Sequence, residues 1–172
     1  MKRICAWCKK ELGASAAEDD KREIITHGIC EECTHALFTA DTGTTLMQFL
    51  TALNVPILVA DNRSIQAATP AAQELLRKEL PDIVGHTEGD VFECAYASFP
   101  EGCGHTVHCN GCVIRNTVRD TYFTGNSHVR QPATLKRGSL DDSEDIDLLI
   151  STEKLKGVVL LRIDRIEQGD KK

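Results

Sequence analysis

Apolar residues recur along the chain at two different periods, which predict helices in some segments and strands in others. The first helical stripe repeats at i, i+3, i+4 and i+7, and it consists of Leu46, Phe49, Leu50 and Leu53. Thr45 and Gln48 have the spacing of a capping box at the start of this helix. Such a stripe packs either on its own domain or on a second copy of the chain, and periodicity leaves both alternatives open.

Two further helices are predicted downstream. Pro70 suits the first turn of a helix that 71–80 fills and that Pro81 ends. The segment 113–124 has helical spacing, and Gly125 is placed to stop it. The apolar face of this last helix consists of Ile114, Val118 and Tyr122.

Strand patterns lie on both sides of these helices. The short apolar runs 55–60 and 64–68 predict two strands before the second helix. After the last helix, apolar and polar residues alternate across 146–151, and 158–163 is an apolar run that ends in charged residues. Predicted turns and loops are 61–63, 82–90 and 154–157. Two strands, then helices, then about three strands are typical of an α+β fold with an antiparallel sheet.

The composition narrows the function classes. Of 172 residues, 41% are apolar, which is enough for a core and excludes a disordered chain. The net charge of −6 argues against broad nucleic-acid binding, which needs a basic surface. The segment 1–40 holds six basic and seven acidic side chains, so DNA binding by this part is disfavoured as well.

The sequence also predicts the compartment. The segment 1–11 carries four basic residues and no apolar core, so it does not have the pattern of a signal peptide. The longest apolar runs, such as 158–161, fall well short of the ~20 residues that span a bilayer. We therefore expect a soluble, cytoplasmic protein, in which the eight cysteines stay reduced and favour metal or redox chemistry over disulfides.

The first cysteine group has the spacing of a zinc site. It contains two C-x-x-C pairs separated by 21 residues, and its members are Cys5, Cys8, Cys30 and Cys33. Each pair binds one ion through a tight turn, and four thiolates complete a closed tetrahedral site with no open position. A thioredoxin-like redox pair is the weaker alternative, because it usually needs a single C-x-x-C. His27 and His35 lie nearby but are not needed as ligands.

The second cysteine group has gaps of eight, five and two residues, and its members are Cys94, Cys103, Cys109 and Cys112. Cys112 directly precedes the helix predicted at 113, where the helix dipole favours a thiolate. Three alternatives stay open: a structural zinc ion, a four-cysteine iron–sulfur cluster, and free or reversibly disulfide-bonded thiols. In the zinc case, His105 or His108 can replace one cysteine.

These motifs resemble those of known families. The segment 44–167 resembles a PAS sensory domain through VPILVAD (55–61), ATPAAQELL (68–76), VG (84–85), LLIST (148–152) and VLLRIDRI (159–166). A cysteine-bearing PAS subgroup of bacterial signalling proteins is similar in GDVFEC (89–94), GCGHT (102–106) and CNGC (109–112). A small zinc-ribbon-like module of bacterial regulators is similar in CAWCKK (5–10) and THGIC (26–30).

The resemblance implies a five-stranded antiparallel sheet flanked by helices, often dimeric through an N-terminal helix, and signal sensing rather than turnover. We predict a module at 1–40 and a PAS-like domain at 44–167, with a boundary near 39–44. The predicted function is a sensory or regulatory protein that acts through a protein partner, with zinc in the first group and a metal ion or iron–sulfur centre in the second. The alternative is a scaffold with two structural zinc ions.

An enzyme is not predicted. The acidic run 141–147 is typical of a solvated loop. The sequence shows no nucleophile–base pair, phosphate-binding glycine loop or open metal site.

Overall fold

The chain forms two compact units, Met1–Leu53 and Asn54–Lys172. The computed structural model describes residues 2–5, 8–14, 25–33 and 46–168. The predicted boundary at 39–44 lies outside these ranges. The domain limits 1–40 and 44–167 therefore stay a prediction.

The first unit contains a three-stranded sheet, whose strands are β1 (Lys2–Cys5), β2 (Glu11–Ala14) and β3 (Ile25–Gly28). The central strand β1 pairs antiparallel with β2 and parallel with β3. Helix α1 (Leu46–Ala52) forms where the first apolar stripe predicts it, and Phe49 and Leu50 are buried. Thr45 of the expected capping box lies outside the described residues.

The second unit is built on a five-stranded sheet in the order β5-β4-β8-β7-β6. Its strands are β4 (Ile57–Ala60), β5 (Ile65–Ala68), β6 (His128–Gly138), β7 (Ser143–Leu155) and β8 (Val158–Gln168). Every neighbouring pair is antiparallel. This sheet and its flanking helices confirm the predicted α+β class with a five-stranded antiparallel sheet.

The hydrophobic core of the second unit lies between one face of the sheet and the helices. Strand β7 contributes the apolar half of its alternation, which consists of Ile146, Leu148 and Ile150. Helix α4 (Val113–Thr124) packs on strands β6, β7 and β8. Ile114 and Val118 of this helix are buried in the core, and Tyr122 packs at its edge. Alternation in the strands and helical spacing in α4 thus meet in one core.

Helix α4 has the bounds that the sequence predicts. Cys112 precedes its first residue, and Gly125 follows its last residue in a left-handed conformation, with φ of 80°. Gly125 therefore ends the helix at low conformational cost. Within the described residues, no helix is long and apolar enough to cross a membrane.

Helix α2 (Pro70–Leu76) ends earlier than the sequence predicts. The Thr69 side chain caps its start, and Pro70 occupies its first position as expected. Arg77, with φ of 54°, ends it by turning its backbone N–H to the carbonyls of the last turn. The prediction that the helix runs to 80 and stops at Pro81 is wrong. Arg77 ends the helix in a left-handed conformation, which its residue type does not predict.

The predicted loop 82–90 contains the start of a short helix, α3 (Glu88–Val91). Thr87 and Asp90 form a reciprocal capping box, in which each side chain accepts a hydrogen bond from the other residue's backbone N–H. The sequence reasoning missed this signal. The capped turn matters because it fixes Glu88 and Gly89 against the second cysteine group.

Candidate functional site

The four cysteines of the first group lie close together. Their Sγ atoms are all within 4.8 Å of one another, and the Sγ atoms of Cys8 and Cys30 are 3.6 Å apart. In a tetrahedral zinc site with Zn–S bonds of about 2.3 Å, neighbouring sulfurs lie about 3.8 Å apart. The donor set and its spacing therefore fit one metal ion.

Strand ends and tight turns position these cysteines. Cys5 is the last residue of β1, and its backbone pairs with Lys9 and Lys10 to close the turn that carries Cys8. The backbone N–H groups of Cys30 and Cys33 each point to a cysteine sulfur, at 3.4 and 3.3 Å. Such N–H donors stabilise thiolates, so the turns are arranged for charged sulfur ligands.

Because most of these cysteines are buried, their charged thiolate forms need a bound cation to stabilise them. Cys5, Cys30 and Cys33 are buried and Cys8 is exposed. Burial raises the pKa of the Cys33 thiol far above its ordinary value, and the neighbouring cysteine side chains add to the effect. A bound dication reverses this balance because it stabilises all four thiolates.

The second group lines a single cavity of about 360 Å³ in the second unit. The residues from this group that line it are Cys94, Cys103, Cys109 and Cys112. All four side chains are partly buried. Among the described residues, the first group is the one set of three or more Cys, His, Asp or Glu donors that lie close enough to share one ion. The four cysteines of the second group thus line a cavity and do not converge on the position of a single ion.

Cys94 is positioned by the edge of the sheet. Its N–H donates to the carbonyl of Gly89 at 2.7 Å, and it forms an isolated bridge with Arg137 of β6. The preceding Glu93 binds Arg137 at 2.7 Å and Lys78 at 3.2 Å through its carboxylate. These contacts attach the segment after α3 to the end of β6.

Cys109 makes two hydrogen bonds within its own loop. The Gly104 N–H donates to its sulfur at 3.1 Å, and Thr106 Oγ1 lies 3.2 Å from the sulfur, with the hydroxyl as donor when Cys109 is a thiolate. Burial alone would raise the pKa of the Cys109 thiol, but these hydrogen bonds outweigh it and lower the pKa. The positive charge of Arg115 acts in the same direction. The loop around Cys109 therefore favours the thiolate form over the thiol.

Burial instead raises the pKa of both Cys103 and Cys112. The charges of Cys94 and Cys109 raise the pKa of Cys112 further, which places these three thiols within electrostatic reach of one another. For Cys103, the charge of Arg115 acts against burial. A cation among these sulfurs would relieve their mutual repulsion.

Two charged residues in this cavity were not predicted from the sequence. Glu88 is only 5% exposed, and its Oε2 atom has no hydrogen-bond partner within the protein. Arg115 of α4 also lines the cavity, and its Nε atom is buried without a partner. The Thr87–Asp90 capping box was the available signal for Glu88, because it places this residue in the first turn of a helix.

Aromatic side chains line another part of the cavity wall. The rings of Tyr96 and His108 stack with centroids 3.9 Å apart and planes 11° from parallel. Of the two histidines considered as zinc ligands, His108 lines the cavity and His105 is exposed. Near the first group, His27 lies in β3 and His35 lies outside the described residues.

Comparison with known proteins finds likeness in structure. No protein-family model and no curated protein matches the chain. The LOV protein of Rhodobacter sphaeroides is 14% identical over 71% of this chain and 65% of its own, less than two thirds of its length, with a TM-score of 0.43.

Two PAS domains are also similar. The PAS domain of nitrogen regulation protein NR(II) from Vibrio parahaemolyticus is 13% identical over 68% of this chain and 94% of its own, with a TM-score of 0.40. The PAS domain of a LuxR-family transcriptional regulator from Burkholderia thailandensis, solved with ethanol, is 14% identical over 69% and 92%, with a TM-score of 0.40.

Proposed function

We propose that this chain is a signal-sensing or regulatory PAS protein that holds one structural zinc ion and a second, metal or iron–sulfur centre. Zinc would bind Cys5, Cys8, Cys30 and Cys33, and the second centre would bind Cys94, Cys103, Cys109 and Cys112. The observation that carries the proposal is the convergence of the second group on one cavity inside a PAS-like fold. A sensor needs a site from which a chemical change reaches the rest of the domain, and this cavity adjoins both the sheet and a helix.

Helix α4 supplies the path from the cavity to the sheet. Cys112 is its N-cap residue, so a ligand bound at this sulfur acts on the first turn of the helix. At the other end, the hydroxyl groups of Thr121 and Thr152 meet at 2.7 Å in the buried interface with β7. A change of metal occupancy or oxidation state would thus shift a helix that is fixed to the sheet at its far end.

The proposed output is binding to a protein partner, with a homodimer formed through α1 as one form of it. The proposed compartment is the cytoplasm. No catalytic role is proposed, since Asp141 and Asp142 lie exposed between β6 and β7, and Asp145 and Asp147 bind Lys136 and Thr134 of β6. These carboxylates therefore belong to the surface of the sheet.

Metal analysis of anaerobically purified protein tests the proposal. Zinc, iron and sulfide are measured per chain in the wild type and in two variants, one with all four cysteines of the first group changed to serine and one with all four of the second group changed. We expect each variant to lose one centre and keep the other. A colourless wild type with two zinc ions supports the scaffold alternative, and a second-group variant with unchanged metal content overturns the second centre.

A further inference from the structure

The second cysteine group and its cavity differ from the first group in a way that indicates the kind of centre they hold. We infer that the cavity binds a 4Fe–4S cluster, and that Arg115 donates a hydrogen bond from Nε to it. This inference rests on the proposed function, because it specifies the centre proposed there.

The size of the cavity is the first argument. Four thiolates around one zinc ion almost touch one another, as the sulfurs of the first group do at 4.8 Å or less. The four cysteines of the second group instead line, together with other residues, a cavity of about 360 Å³, whereas one water molecule needs only about 10–15 Å³ by the same measure. A cubane cluster suits this arrangement, because each cysteine binds a different iron atom and the sulfurs therefore stand further apart.

The hydrogen bonds at Cys109 are the second argument. As a thiolate, its sulfur accepts from the Gly104 N–H and the Thr106 hydroxyl. Hydrogen bonds to the sulfurs are a main means by which proteins tune iron–sulfur clusters. The loop from Gly104 to Cys109 therefore favours the thiolate form, in which cysteine binds iron.

The unpartnered atoms in the wall are the third argument. Arg115 Nε and Glu88 Oε2 are buried without partners in the protein, although a buried polar atom normally has one. Both residues line the cavity, and Glu88 is 95% buried. The Arg115 Nε–H is a donor that needs an acceptor, and the sulfurs of a cluster accept hydrogen bonds.

The guanidinium of Arg115 is held in place by the cysteine loop. A Cβ atom at Gly104 would overlap the Arg115 Cζ atom, so the side chain lies directly on this glycine. The positive charge acts on both Cys103 and Cys109. Four thiolates leave a cluster with a net negative charge, and reduction makes it more negative. A buried cation at this position therefore stabilises the reduced form more than the oxidised form.

Anaerobic loading of the full chain with ferrous iron and sulfide, compared with zinc alone, tests the identity of the centre. We expect about four iron and four sulfide ions per chain beyond the zinc of the first group, and their loss in the second-group cysteine variant. Uptake of one extra zinc ion with no iron overturns the cluster but leaves a metal centre in place. No uptake at the second group overturns the proposed function itself.

A reductive titration tests the role of Arg115. Dithionite, acting through mediator dyes, adds one electron to the cluster core and takes it from the 2+ to the 1+ state, with no bond made or broken. We expect Arg115→Met to lower the reduction constant about tenfold, a shift of about −59 mV in midpoint potential, and Arg115→Lys to shift it less. Arg119→Met is the matched control, because Arg119 is exposed one turn further along α4.

The possible outcomes are distinct. Equal potentials in the wild type, Arg115→Met and Arg119→Met overturn the role of Arg115 while the cluster stands. If Arg115→Met fails to fold, Arg115→Lys is used instead, because it keeps the charge and the aliphatic part of the side chain. A midpoint potential and a visible spectrum that are both unchanged in Arg115→Lys overturn the proposed hydrogen bond. The expected order of potentials is wild type and Arg119→Met highest, Arg115→Lys lower and Arg115→Met lowest.

Discussion

Gly89 packs closely against Cys103 in the wall of the cavity that the second cysteine group lines. A Cβ atom at this position would lie 2.6 Å from the Cys103 sulfur and 2.9 Å from its Cβ. The first residues of α3 are buried, so the helix cannot give way easily. We expect Gly89→Ala to displace Cys103 and to weaken metal binding at the second group about tenfold or more. A competition titration with a chromophoric chelator measures this.

Gly111→Ala is the matched control for that variant. Gly111 lies between Cys109 and Cys112, and a Cβ atom there would meet nothing within 4 Å. Neither Gly89 nor Gly111 has a positive φ, so neither alanine adds backbone strain. Equal affinity in the two variants would show that crowding of Cys103 does not affect the site.

Glu88 gives the stability of the fold a pH dependence of its own. Burial raises the pKa of this carboxyl, so the folded chain holds its proton more tightly than the unfolded chain does. The stability from this group is therefore full at low pH and is lost as the pH rises through the folded pKa. We expect Glu88→Gln to be less sensitive to pH than the wild type between about pH 4 and pH 8. Urea unfolding across this range measures the difference.

The exposed Glu101→Gln serves as the control for Glu88→Gln, because it removes an acidic group at the surface of the same segment. Its stability should follow the wild-type curve at every pH. Parallel pH curves for Glu88→Gln and the wild type would refute the effect of burial.

At the scale of elements, the Glu93 carboxylate joins the segment after α2 to β6, beside the chain that carries Cys94. Its hydrogen bond from Arg137 lowers the pKa of Glu93, and Lys78 adds to this. The contribution to stability is therefore present above the unfolded pKa and is lost as the pH falls through the folded one. All three partners are partly solvated, so we expect Glu93→Gln to cost no more than about 1 kcal/mol at neutral pH.

The same variant should have a larger effect on Cys94 than on the fold. The backbone of Glu93 already bonds Gly138 of β6, at 2.9 Å, so the strand contact survives the loss of charge. The ion pairs of the Glu93 carboxylate, which align the segment that carries Cys94, are lost in this variant. We expect weaker metal binding at the second group with near wild-type thermal stability. Weaker binding that follows only from partial unfolding would contradict this division.

Elements were predictable from the sequence where local signals and tertiary packing agree. Helix α4 has a stripe, a stop at Gly125 and a buried face that all give the same bounds. Helix α2 was overextended, because the left-handed cap at Arg77 depends on local backbone bonds and not on residue type. The sequence predicted about three strands after the last helix without giving the bounds of β6, and Pro132 lies within this strand. A proline normally marks an edge strand, and β6 is at the edge of the sheet.

At the scale of the whole molecule, the two cysteine groups were predictable to different depths. Spacing alone predicted that the first group forms one site, since the two C-x-x-C turns need only lie next to each other to bring four sulfurs together. Spacing also predicted the members of the second group, but not that they line a cavity. Glu88 and Arg115 are 27 residues apart in the chain and lie on different helices. Only the tertiary fold brings them to the same wall.

The division of the chain into two units predicts that each cysteine group supports its own part of the molecule. In the first unit, Cys5, Cys30 and Cys33 are the buried members of a small cluster, with Leu12 and Ile29 packed against it. A metal ion bound as proposed would therefore supply much of the folding free energy of this unit. The second unit has a large apolar core whose buried members include no cysteine, although Cys94 and Cys112 pack against it.

Hydrogen exchange on the full chain tests this independence. We expect Cys30→Ser to remove zinc and to abolish amide protection in β1 to β3, while β4 to β8 keep theirs. Cys94→Ser should do the reverse at its own site: it should weaken the second centre, lower protection at the start of α4 and leave the first sheet unchanged. If either substitution removes protection in both sheets, the two units fold as one. If Cys30→Ser leaves β1 to β3 protected, zinc does not stabilise the first unit.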